Sequence, residues 1–176
     1  MLKSGGSAFV PESKSSFPPI ETIIKLIVDA GGIPCYPVLL DDKNGNLTEF
    51  ETGWDNMADW LTRYNVPCIE LIPSRNSEQK LTEFVKFFKD KGFVITLGTE
   101  HNTPGLFPLE VKMEGTMHLT NYLKKVSYEG CCLIAAHQYL EANAQEGFLD
   151  CSAKPNKHCI AYLSVLGNAV IKNYIE

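Results

Sequence analysis

Between residues 18 and 98 the sequence runs three times through one pattern: apolar residues at helical spacing, a turn, then a short β-rich apolar run. In the first pass Ile20, Ile23, Ile24, Ile27 and Val28 share a helical face. Pro18 and Pro19 suit the first turn, and Gly31-Gly32 ends the helix before a strand from Ile33 to Leu40. In the second, Trp54, Met57, Ala58, Leu61 and Tyr64 precede a strand from Val66 to Ile72. In the third, Ser77 caps a helix bearing Leu81, Phe84, Val85 and Phe88, and Gly92 closes it before residues 93–98. A parallel partner strand is reached only by a long crossover, so helices alternating with strands predict an α/β fold with parallel strands at 33–40, 66–72 and 93–98. Pro34 and Pro37 cannot donate to a ladder, which makes the first strand short or places it at a sheet edge.

The flanks are different. Residues 1–15 are rich in Ser and Gly, have no period and read as a loosely ordered lead-in, and Asp41 to Thr52 read as a polar loop. Beyond residue 112 the pattern is helical only, with segments near 115–126, 129–143 and 156–174. This divides the chain into an α/β region, 1–112, and a helical region, 113–176, packed on it. A length of 176 residues supports one domain with a core, but a complete (β/α)₈ barrel typically takes about 250. Three parallel strands alone leave open edges. Self-association, or a further N-terminal segment that completes the sheet, is therefore expected.

A net charge of −5 and the absence of any Lys/Arg run with interleaved aromatics argue against a general nucleic-acid surface. The longest apolar stretches are of strand length and no signal-peptide layout opens the chain, so no membrane segment and a cytoplasmic location are expected. Six cysteines are present, with Cys35 and Cys68 in strands and Cys131-Cys132 in a helical stretch, and they read as free, buried thiols. No Cys-x-x-Cys pair offers a cysteine zinc site.

Chemistry concentrates after the third strand, where Glu100, His101 and Asn102 precede Pro104-Gly105. In parallel α/β proteins the site lies just beyond the carboxyl ends of the strands, so these polar groups would be delivered there; the competing reading is a solvated turn. On a continuing strand Glu100 and His101 would point to opposite faces and share no ion, whereas a loop starting at Thr99 removes that obstacle. Glu70 falls in mid-strand, where a buried carboxylate needs a cation: a metal, Arg63, Lys112, or else solvent. His137, after Ala135-Ala136, reads as a structural histidine, and His118 and His158, near helix starts, as exposed ones.

Over residues 18–105 the order of motifs resembles the polymerase and histidinol phosphatase (PHP) family, metal-dependent phosphoesterases on a distorted barrel. Members carry a helix ending in Ala-Gly-Gly, a strand ending in Ala-His-Pro, a Gly-Ile-Glu strand and a final Gly-Ser-Asp-x-His. Here the corresponding residues are Asp29-Ala30-Gly31-Gly32 with Cys35-Tyr36-Pro37, then Cys68-Ile69-Glu70, then Gly98-Thr99-Glu100-His101-Asn102. Tyr36 replaces one histidine, Glu100 the aspartate and Asn102 the last histidine, with His101 shifted by one place, and the opening His-x-His pair has no counterpart. The resemblance implies part of a PHP-type barrel and hydrolytic phosphoester chemistry. It gives Glu100 and His101 catalytic roles, makes Glu70, Glu100 and His101 the ligands of a divalent zinc or manganese ion, and makes Tyr36, Asn102 and Arg75 contacts to a small phosphorylated substrate. With so reduced a ligand set, little or no activity is expected of the chain alone.

Two alternatives come from other classes. Lys112, after Leu109-Glu110-Val111, is the lysine in an apolar, strand-like context that a Schiff-base lyase or aldolase would need. A metal-free binding or interaction module is the other.

Overall fold

Three parallel strands, β1 (Cys35–Val38), β2 (Cys68–Leu71) and β3 (Val94–Leu97), lie side by side in chain order. The structure is a computed structural model and describes residues 4–11, 13, 16–99, 101, 105 and 108–175. Around the sheet are α1 (Ile20–Asp29), α2 (Glu49–Thr52), α3 (Trp54–Arg63), α4 (Glu78–Asp90), α5 (Asn121–Ala142) and α6 (Ile160–Ile175). The mixed α/β class and the parallel pairing agree with the sequence. The sheet among the described residues is small and open, with three strands. No helix of the described residues is long and apolar enough to cross a membrane.

The register sorts the strand residues onto two faces. Tyr36, Ile69 and Ile95 form one row and Val38, Leu71 and Leu97 the next on the same face, because side chains alternate along a strand. That face meets Met57 and Leu61 of α3 and Leu81, Phe84, Val85 and Phe88 of α4 in the main core. The opposite face carries the rows Cys35, Cys68, Val94 and Pro37, Glu70, Thr96. Leu133 and Ala136 of α5, with Phe148 and Leu163, cover only its Cys68–Val94 side. Much of this second face stays open, with Cys35, Pro37 and Glu70 exposed.

The two edges of the sheet differ. β1 is short and is an edge strand, in keeping with Pro37 within it and Pro34 before it, and just past its end the Leu39 N–H donates to the Glu51 carboxylate at 3.0 Å. Along β3, the Leu97 N–H donates to the Ser127 hydroxyl at 3.3 Å, and Gly130 lies against the Ile95 carbonyl, where a Cβ would overlap it. Helix α5 thus occupies the place of a fourth strand, so the β3 edge is not open as expected.

Further departures from the sequence reading have local causes. The expected helices at 115–126 and 129–143 are one 22-residue helix, α5, preceded by a 3₁₀ turn at Glu114–Thr116. Its N-terminus is set by Thr120, whose side chain accepts the Leu123 N–H. Ser127 and Gly130 do not break it because each meets β3. The polar loop at 41–52 contains α2, capped by Thr48. Ser77 caps α4, as its position implied. Helix α1 forms as expected yet buries none of its residues, and Leu26 is 64% exposed.

Candidate functional site

The open face of β1 and β2, together with α5, bounds a cleft of about 310 Å³ lined by Gly31, Cys35, Cys68, Glu70, Thr96 and His137 among others. Glu70 supplies its one carboxylate. The side chain is exposed rather than buried, and among the described residues it is in no ion pair, Arg63 and Lys112 included. Its Oε1 lies over Gly98: a Cβ there would come within 2.7 Å, so the glycine that follows β3 leaves the carboxylate its space.

His137 also lines the cleft. It is 2% exposed and its Nδ1 accepts the Phe148 N–H at 3.0 Å, which places the ring proton on Nε2. That Nε2 is buried and has no hydrogen-bond partner. Burial holds the imidazole below its usual range, with the Glu141 carboxylate and the Gly31 backbone acting weakly the other way. Its structural role agrees with the sequence reading, although the ring also borders the cleft. His118 and His158 are exposed, as expected, and His118 lies 2.9 Å from Glu110.

The remaining sequence candidates do not all converge on this cleft. β3 ends at Leu97. Glu100 and Asn102 lie outside the described residues. His101 is exposed, with its Nε2 2.9 Å from the Thr99 hydroxyl. Tyr36 is on the opposite face from Glu70, in an aromatic cluster with Phe50 and Trp60 at centroid distances of 5.5 and 6.4 Å. Burial, then the Glu51 carboxylate, push its phenol up from the usual tyrosine range. Arg75 lies beyond β2, its Nη1 3.3 Å from Asp41. Lys112 is paired with Glu110 at 3.2 Å and does not line the cleft.

At the carboxyl ends of β1 and β2 a second polar group appears. Asn76, fully buried, donates through its amide to the carbonyls of Leu39 and Leu40, and Asp42 accepts from both the Ser77 N–H at 3.2 Å and its hydroxyl at 2.7 Å. These contacts fix the turn at Leu40, whose φ is 42°, and occupy the N-terminus of α4 with the protein's own carboxylate. No three His, Cys, Asp or Glu side chains among the described residues converge to hold a metal ion. The described donors alone therefore do not fit the metal cluster that the family resemblance implies.

All six cysteines are free, as expected, but Cys35, Cys131 and Cys151 are exposed rather than buried. Sequence reasoning missed that Cys35 and Cys68 face each other in register. The signal was present in the repeated dipeptides Pro34-Cys35 and Pro67-Cys68, which open equivalent strands. Compared with family models, curated proteins and solved structures, the chain finds no match in any of the three.

Proposed function

We propose that the chain is a divergent PHP-type unit of hydrolytic phosphoester lineage that has little or no turnover by itself. The observation that supports this reading is the strand order. Three consecutive helix-then-strand units lie in sequence order without reversal, as in the arc of a barrel, and Glu70 stands on the face that α3 and α4 leave uncovered. In this reading Glu70 faces the lumen of the arc and His101 follows the carboxyl end of β3, while the other two expected contacts, Glu100 and Asn102, lie outside the described residues. Arg75 and Tyr36 would serve a small phosphorylated ligand only after leaving Asp41 and the aromatic cluster, respectively.

A resident zinc or manganese ion would polarise the phosphoryl oxygen and supply a hydroxide. No step is assigned through it, since the described donors are too few. What the chain's own groups offer is a carboxylate acceptor at Glu70 and an imidazole at His101 held by Thr99. That favours binding over turnover, and the metal-free interaction module stands as the second reading. The same arc leaves the Ile23–Leu26 face of α1 and the β1 edge without cover, and we place self-association or an additional polypeptide segment there.

The test is hydrolysis of an aryl phosphate with added manganese or zinc, using wild type, Glu100→Gln and His101→Ala, alongside calorimetric metal binding. Negligible turnover is expected, with at most one ion held weakly. Robust turnover abolished by both substitutions would overturn the inactivity and keep the site; turnover indifferent to both would remove the site. Absence of any metal binding would leave the interaction module.

A further inference from the structure

Cys35 and Cys68 are direct partners in the parallel register of β1 and β2 and project onto the same face. Neighbouring strands lie about 4.8 Å apart, within the Cα separation of about 4.4–6.8 Å that a disulfide spans. Both side chains line the same cleft, so a small molecule that enters it reaches the pair together. Cys35 is exposed while Cys68 is only 2% exposed. A hydrogen bond with Cys35, then burial and the nearby Glu70, push the Cys68 thiol far above the usual range. Cys35 is therefore the thiol that reacts first and Cys68 the one that resolves. No such arrangement holds for Cys131 and Cys132, which are adjacent on α5 and point away from each other.

We propose that Cys35 and Cys68 form a redox-modification site, oxidised by a low-molecular-weight disulfide to a reversible cross-strand bridge. In the first step the Cys35 thiolate attacks one sulfur of RSSR. The S–S bond breaks, RS⁻ leaves with the electron pair and takes up the proton that Cys35 lost, and Cys35 carries the mixed disulfide. In the second step Cys68 loses its proton and attacks the Cys35 sulfur, expelling the other RS⁻, which takes that proton. The cysteine pair loses two electrons and RSSR becomes two RSH. The neutral mouth of the cleft apart from Glu70 favours an uncharged or cationic disulfide over an anionic one.

The probe is bis(2-hydroxyethyl) disulfide at mildly alkaline pH, read by thiol titration and non-reducing peptide mapping of the full chain. Expected are a Cys35–Cys68 linked peptide, with mixed disulfides only on the other exposed thiols, Cys131 and Cys151, and full recovery of the six thiols with dithiothreitol. Cys68→Ala is expected to stop at the mixed disulfide on Cys35. A wild type that halts at that mixed disulfide, bridges a different pair or leaves both thiols unmodified overturns the proposal. The wild-type map decides this even where the variant fails to fold.

Discussion

The Ser127 hydroxyl accepts the Leu97 N–H at 3.3 Å across the outer edge of β3, so a helix, not a strand, satisfies that edge. Gly130, one turn on, lets α5 come close enough by meeting the Ile95 carbonyl without a side chain.

Replacing Gly130 by Ala brings two opposing effects. Helix propensity favours Ala by about 1 kcal/mol, whereas overpacking against a backbone carbonyl that cannot swing away costs about 1–3 kcal/mol. We expect the overlap to win, with Gly130→Val worse than Gly130→Ala. Ser127→Ala is expected to cost about 1 kcal/mol through the lost acceptor. Urea unfolding midpoints measure all three, and a Gly130→Ala midpoint above wild type would contradict the close approach.

The Glu51 carboxylate holds the Leu39 N–H through Oε1 while its Oε2 is buried without a partner. Glu51→Gln keeps the carbonyl acceptor and is expected to be tolerated, whereas Glu51→Ala leaves the N–H unpaired and costs about 1–3 kcal/mol. Asn76→Ala is expected to be at least as damaging, because it also frees the Leu40 carbonyl at a left-handed turn. Thermal melts compare the three variants directly.

Stability should fall on mild acidification because of His137. Its folded-state value lies below the 6.5 of the free side chain, so the unfolded chain binds the proton first. The contribution is intact above pH 6.5 and is lost as pH falls from there through the folded value. In His137→Asn, whose side-chain oxygen can still accept from Phe148, this part of the pH dependence should flatten. Denaturation curves at a series of pH values read the slope, and an unchanged slope in the variant would assign the effect elsewhere.

Helix α1 packs Ile24 and Val28, half-buried, against the core and presents Ile23 and Leu26 at 38% and 64% exposure. Self-association through this face predicts a dimer or larger species in light scattering, and Leu26→Lys should return it to the monomer mass without shifting the melting temperature. A wild type that is monomeric at every concentration would shift the role of the face to another polypeptide.

The amino-acid sequence determined the α/β class, the three strands and their helices, the cap at Ser77 and the edge position of β1. These depend on local period, capping and the missing proline N–H, all of which act within a few residues. It also marked Glu70 as unusual, although it implied burial where the side chain is exposed: a mid-strand position says nothing of which face the helices will cover. Only tertiary structure decided that α5 would seal β3, since Ser127 and Gly130 look like weak points in a helix until a strand edge lies against them. The same holds for Tyr36 and Glu70, two strand residues that register sends to opposite faces, and for Cys35 and Cys68, brought together from 33 positions apart in the sequence. Contacts at that separation are set by which elements pack together, a property of the whole chain rather than of any one stretch.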